Sequence, residues 1–434
     1  MTKFLLIGGA SAYTPDILLG LLREPTIVEG WEVWLHDVDG PNLHLMGRLA
    51  ERLAAAAGVN WQVRTTLDRR EAIAGADFIL SQPRVGGLQS RRLDEQIPRA
   101  LGLIGQETLG AGGFAFAWRT IPVILGVVAE VQELAPKAWV INYANPAGMV
   151  TEAVLRRFPA ARFIGLCDMP AGLLQSVASL LRVDPHRVTA DWTGINHAGW
   201  GRRVYVDGAE ALGRIRGLGR AGGLVAGLLP LNEVTGTLRL FRRFGLLPDA
   251  YLRYYYHTNE MVALLGRKKQ TRAEQVLARL PALYAHYEAV ADGREPHLKL
   301  HRGHASHADL ASTVILTMAA GRKARFIIQQ ANRGQLPDLP VGRAAQFPAM
   351  VGPDGWEPIA QEPLPNGLPD LLCEIQAAEG LNVEAALTGD RQTAVEAMAA
   401  APLVRDRAKA ELMVERLLAA HRPYLPQFWG EGEA

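Results

Sequence analysis

Short apolar runs alternate, over the first 170 positions, with longer stretches whose apolar residues recur every three or four places. The runs occupy 4–7, 32–37, 61–66, 78–81, 138–143 and 163–166, and helical spacing fills 17–22, 43–57 and 68–74. Continuous apolar runs mark strands buried on both faces, and strand–helix alternation builds a parallel sheet through crossover helices. The pattern predicts an α/β protein whose first domain, 1–196, is a Rossmann-like, doubly wound parallel sheet. After about Tyr205 the alternation weakens. Residues 201–236, rich in Gly, Leu and Arg, read as irregular or mobile; 251–257 read as a helix, and 381–428 as amphipathic helix for core and subunit contact. A second, α+β and mainly helical domain, 197–434, is expected, with a homodimer or homotetramer as the assembly.

Length supports two domains, at 434 residues,. A net charge of +2 is too small to argue for nucleic acid or a membrane surface,. The two cysteines, Cys167 and Cys373, form no disulfide framework and fit a reducing compartment,. With no apolar leader and no apolar stretch of 18 residues apparent, a soluble cytoplasmic protein is expected.

Candidate chemistry gathers at predicted strand ends, the edge where α/β sheets bind ligands. Gly8-Gly9-Ala10-Ser11 follows the first strand, with Thr14 as the expected helix cap and Pro15 in the first helical position,. Such a turn lets a diphosphate approach backbone N–H groups at a helix N-terminus, although Ala10 and Tyr13 depart from G-x-G-x-x-G. Asp37 closes the second strand about twenty residues later, where an acid would bind the ribose hydroxyls of NAD; the alternative is a solvated strand-end carboxylate. Asn145-Pro146 ends a further strand, and Asn145 could bond both a cofactor ribose and a sugar hydroxyl, or simply start a turn. Arg84, Arg91 and the Gly105–Gly113 loop suit an anionic ligand. Cys167 and His197, thiolate and imidazole, suit a divalent transition metal with positions left open. In the Tyr251–Tyr256 cluster most rings are packing residues, but one beside a metal could act as a base. His301, His304 and His307 form a weaker second metal candidate.

These residues resemble the NAD- and Mn-dependent glycosidases of glycoside hydrolase family 4. The resemblance spans nearly the whole chain and is most specific in Gly105–Gly113, residues 145–153, Gly165–Pro170, Asn196-His197 and Tyr251–Tyr256. It implies an architecture like that of lactate and malate dehydrogenases, with cofactors NAD and Mn²⁺ or another divalent metal. It also implies a reaction: hydride leaves sugar C3 for NAD⁺, a tyrosine takes the C2 proton, the aglycone departs, water adds, and hydride returns. The implied roles are Tyr251 as base, with Cys167 and His197 as metal ligands. Gly8, Gly9, Ser11, Asp37 and Asn145 would hold NAD, and Arg91, Arg302 and Asn145 the substrate. Residues 145–153 and the C-terminal tail resemble 6-phospho-β-glucosidases. Cys167-Asp168-Met169-Pro170 instead looks like the 6-phospho-α-glucosidase version, in which Asp168 would be a general acid. The β group's Arg-Gly-Gly-x-x-Tyr-Ser is here Arg302-Gly303-His304-Ala305-Ser306-His307, and its Asn-Asn-Gly is Asn332-Arg333-Gly334. A phosphorylated glucoside would be the partner, with 6-phospho-β-glucosidase expected first. The alternatives are a 6-phospho-α-glucosidase, an enzyme of unphosphorylated sugars, a 2-hydroxy-acid dehydrogenase or a non-catalytic sensor of sugar or NAD.

Overall fold

The structure, a computed structural model, describes residues 1–217, 231–302 and 305–429. Six parallel strands come first: β1 (Lys3–Ile7), β2 (Glu32–His36), β3 (Gln62–Thr66), β4 (Phe78–Ser81), β5 (Trp139–Asn142) and β6 (Phe163–Gly165). They lie in the order β3-β2-β1-β4-β5-β6, the doubly wound arrangement with its switch point beside β1,. The register pairs Ile7 with His36 and Ser81, and Ser81 with Asn142. The residues that follow these strands therefore emerge along one edge. Phe4, Leu5, Leu6, Val33, Leu35, Ile79, Leu80 and Ile164 are buried, which is why the central strands read as unbroken apolar runs,. Strand β3, at the sheet edge, is largely exposed.

Beyond β6 the chain reverses the sheet. Strands β7 (Val188–Ile195) and β8 (Ala198–Val206) form a hairpin, with β9 (Ala209–Glu210) and β10 (Leu247–Pro248) on β8. Strands β11 (Ala324–Ala331) and β12 (Ala344–Gly352) insert between β6 and β7, and β13 (Gly355–Pro358) pairs with β12. All these pairings are antiparallel. The expectation of an irregular 201–236 needs correction. Strand β8 continues to Val206, and helix Glu233–Phe244 opens with a capping box between Asn232 and Thr235,. Residues 218–230 lie outside the described residues.

Helix Gly110–Leu134 corrects a second expectation, being apolar and long enough to cross a membrane by length and composition. It is a core helix here: Trp118, Ile121, Ile124 and Val127 are fully buried. Its Arg119 meets Asp94 at 2.7 Å, and Asp94 also meets His421 of the C-terminal helix Arg407–His421 at 2.9 Å. The three side chains tie both helices to helix Gly87–Ala100, which carries Arg91. A buried charge is tolerated when paired in this way.

One carboxyl is less well accommodated. Burial pushes Glu379, on helix Leu368–Thr388, up to about 8; Arg343 opposes the shift and Glu152 adds to it. An unfolded Glu titrates near 4.3, so between roughly pH 4.3 and 8 the unfolded chain sheds a proton that the folded chain retains. Stability should fall across that window and level off above it. Glu379→Gln should leave stability at pH 4 unchanged and raise it above pH 8 by on the order of 1–3 kcal/mol. Urea titrations at both pH values check this, and an equal effect at both would refute a buried neutral carboxyl.

Candidate active site

The glycine turn after β1 is shaped by close approach. Gly8 has φ +89°, and a Cβ there would lie 3.0 Å from the Gln82 backbone; one on Gly9 would lie 2.9 Å from Leu35 Cβ,. Both glycine N–H groups donate to the His36 carbonyl at 2.9 Å, and the Ser11 N–H donates to the Gly8 carbonyl at 3.1 Å. The Gly8 and Gly9 N–H groups thus hold β2 and the Ser11 N–H closes the turn on Gly8, so these residues fix the shape of the turn. Asp37 accepts from the N–H groups of Ala10 at 3.0 Å, Val38 at 2.7 Å and Asp39 at 3.3 Å. A carboxylate offers about four lone-pair sites, so capacity for a hydroxyl remains.

Thr14 is not the helix cap. Tyr13 holds that position without a side-chain bond, and the Thr14 hydroxyl donates to the Gly9 carbonyl at 2.9 Å. Two tyrosines from helix Arg272–Ala291 brace the turn as well: Tyr284 donates to the Ala10 carbonyl at 3.1 Å and Tyr287 to Ala12 at 2.9 Å. Nothing local in the sequence signals this brace, because its partners lie more than 270 positions apart.

Cys167 follows β6 and caps helix Asp168–Leu181, whereas His197 lies in the two-residue turn between β7 and β8 with φ +61°. Both are buried. The strand-end argument holds for Cys167 in the parallel sheet; His197 reaches the site on an antiparallel hairpin instead. Burial pushes the Cys167 thiol up, with Asp168 and Asp249 acting in the same direction and the Met169 N–H and Asn196 opposing. A bound cation would reverse this and favour thiolate. Burial lowers His197 to about 4 against the pull of Asp168 and Glu107, so the ring is neutral, as a metal ligand must be,. Its Nδ1 is buried without a protein partner. These two donors fit a divalent cation. Among the described residues no cluster of three His, Cys, Asp or Glu completes a metal site.

Tyr251 precedes helix Leu252–Tyr256, and its ring lies 4.4 Å from that of His197 between centroids. Asp249 accepts the Tyr251 N–H at 2.8 Å, while Gln106 donates to the phenol oxygen at 3.3 Å. Gln106 is itself held by Thr108, whose N–H and hydroxyl donate to its carbonyl oxygen at 2.6 and 2.9 Å. Burial pushes the phenol well up, and Tyr254, Glu107, Asp168 and Cys167 all add to the shift. Asp168 acts on all three of His197, Cys167 and Tyr251, Glu107 on His197 and Tyr251, and Cys167 on Tyr251; with the ring contact between His197 and Tyr251 they share one buried locus. Tyr256 packs on Trp200 and Phe244, and Tyr254 is buried, as expected of packing residues.

Arg91 pairs with Glu95 at 2.8 Å and Glu107 at 3.0 Å, and Arg84 also pairs with Glu107. Burial would lower the Arg91 guanidinium, but the two carboxylates more than offset it and raise it. Arg302 lies over the Tyr13 ring at 4.9 Å. Burial lowers its pKa; Tyr13 opposes this, and repulsion from Arg84, Arg91 and Arg272 adds to it. Asn145 stands half-buried at the end of β5, and its bond to Pro146 is cis. Asp168 is the half-buried first residue of its helix. Of the second histidine cluster, His301 meets Asp16 at 2.5 Å; Gly303 and His304 lie outside the described residues, and nothing is described of the His307 side chain. Gln106, Glu107 and Asp249 had not been singled out from sequence. The Gly105–Gly113 loop and the position two residues before Tyr251 were the available signals.

A glycine turn after β1, with a buried thiol, imidazole and phenol gathered beyond the strand ends, has the makings of an α/β enzyme site. The sequence models of family 4 glycosyl hydrolases match residues 3–183, and those of the family's C-terminal domain match 192–404. The chain belongs to that family. A 6-phospho-beta-glucosidase of Escherichia coli is 35% identical, covering 98% of this chain and 96% of its own. A 6-phospho-alpha-glucosidase of Lacticaseibacillus paracasei is 28% identical, covering 98% of each. The Thermotoga maritima 6-phospho-beta glucosidase, in a structure with manganese, NAD⁺ and glucose-6-phosphate, superposes with a TM-score of 0.87 at 25% identity, covering 98% of this chain and 99% of that one.

Proposed function

We propose that this glycosidase hydrolyses 6-phospho-β-glucosides with NAD and a divalent metal as cofactors, residues 1–196 serving the cofactor and 197–434 the substrate and subunit contacts. The observation that carries the reading is the buried locus shared by Cys167, His197 and Tyr251. When bound, NAD would supply a reversible hydride acceptor and the metal a positive charge beside the sugar oxygens. Cys167 and His197 would hold the metal, leaving its other positions to the sugar. Gly8, Gly9, Ser11 and Asp37 would cradle the nucleotide, with Asn145 between it and the sugar. Tyr251 would take the C2 proton, its phenolate steadied by the Gln106 amide. Asp168 would protonate the leaving group. The mutual repulsion of Arg84, Arg91 and Arg302 is what a phosphate would relieve.

The greater identity to the β-specific relative favours the β anomer over the α, against the Cys167-Asp168 pair that looks like the α version. The same reading includes a cytoplasmic homo-oligomer. It is tested with 4-nitrophenyl α- and β-glucosides, with and without 6-phosphate, given NAD⁺ and Mn²⁺. Turnover of the 6-phospho-β substrate is expected without net NADH, since the hydride removed is returned. Full turnover by enzyme stripped of metal and nucleotide would sink the reading, and accumulation of NADH would point to a dehydrogenase.

A further inference from the structure

Beside the Cys167–His197 locus lies a small cavity of about 10 Å³, about the room one water needs, with amide and charged groups among its walls,. Asn196, Gln329, Gln376, Gly148, Arg343 and Glu379 are among its walls. Three of these amides are buried yet incompletely bonded within the protein. Gln329 is 1% exposed with neither amide atom partnered, and the same is true of Gln376 Oε1 and Asn196 Nδ2. Buried amides normally find partners, and a polar site of this size satisfies them through an enclosed water.

The position of Asn196 makes this consequential. Its Oδ1 accepts the Gly148 N–H at 3.2 Å, its amide lies on the side of the Cys167 thiol, and the next residue is His197. A Cβ on Gly148 would lie 2.7 Å from Asn196 Cβ, so the helix after β5 presses directly on this turn. Gln329 is the one β11 residue in register with β6, opposite Gly165, two positions before Cys167.

We propose that Gln329 and Gln376 are positioning residues for the Cys167–His197 pair, acting through one enclosed water. The water would accept from Asn196 Nδ2 and donate to Gln329 Oε1 and Gln376 Oε1, fixing the turn that aims His197. This rests on the reading of Cys167 and His197 as metal ligands.

The test replaces Gln329 by Met, which keeps length and removes both amide atoms, and measures Mn²⁺ affinity of the NAD-loaded protein from free Mn²⁺ by electron paramagnetic resonance. Loss of an outer partner typically weakens metal binding by about 10–100-fold, and roughly tenfold is expected here. Gln376→Met should act in the same direction and serves if the first variant does not fold. Gln335→Met is the control: Gln335 is buried and donates to the Ala331 carbonyl but neither lines the cavity nor pairs with β6 or β7, and its variant should bind Mn²⁺ like wild type. In Co²⁺-loaded protein the thiolate-to-cobalt band should shift in Gln329→Met and not in the control. A crystal structure with one water bonded to all three amides supports the proposal. Wild-type affinity in a folded Gln329→Met protein, equal loss in the control, or no water at the site overturns it. If wild type itself binds no Mn²⁺, the metal reading fails rather than this one, and the crystallographic water still decides whether the three amides share a bridge.

Discussion

Tyr251→Phe should lower turnover by on the order of 10²- to 10⁴-fold while leaving stability nearly unchanged. The substitution keeps the ring that packs against His197 at 4.4 Å between centroids and removes only the ionisable oxygen. A phenol titrates near 10 in water, and here burial and the neighbouring Glu107, Asp168 and Cys167 push it higher still,. The oxygen can therefore serve as a base near neutrality only when a cation offsets those carboxylates and the lost solvation. The Gln106 N–H adds a donor aimed at the same oxygen. Exchange of the C2 proton into D₂O during turnover is the measurement, for wild type and for Tyr251, Tyr254, Tyr255 and Tyr256 each changed to Phe. Exchange and turnover should collapse in the first variant and persist in the other three. The opposite pattern would show that another tyrosine is the base.

Cys167→Ser and His197→Ala should lose metal far more than fold. A hydroxyl or a methyl cannot replace a thiolate or an imidazole in a two-donor site. The expected loss in Mn²⁺ affinity exceeds the roughly 10–100-fold that an outer partner is worth. His197 needs a control because its φ of +61° strains an alanine backbone,. His197→Asn restores a residue at ease in that conformation and should regain stability without wild-type affinity. Metal content and circular dichroism of the purified variants decide the matter. Unchanged metal in either would remove that residue from the ligand pair.

The parallel half of the sheet was legible because β1, β2, β4, β5 and β6 are buried and leave uninterrupted apolar runs in the sequence. The end of each run then located Gly8, Asp37, Asn145 and Cys167 together. The antiparallel return was not legible. Strands β11 and β12 carry Gln329, Gln330 and Gln346, which look solvent-facing by composition but are at most 3% exposed. Helix Gly110–Leu134 was missed as a long apolar stretch because small and polar residues interrupt it, among them Arg119, whose charge is met by Asp94. Glu107 escaped for a different reason: among many loop carboxylates, only the tertiary fold brings one between Arg84 and Arg91.

The strand order has a consequence for the protein during its synthesis. Cys167 and His197 are thirty positions apart, yet the strands that lead to them are separated in the sheet by β11 and β12, which run from Ala324 to Gly352. When His197 leaves the ribosome, the partners that set the spacing of β6 from β7 have not been made. A nascent chain therefore carries both donors for well over a hundred further residues before it can offer them to one ion. If Cys167 and His197 hold the metal as proposed, its capture would be a late event, gated by translation of the second half rather than by the appearance of the two side chains themselves.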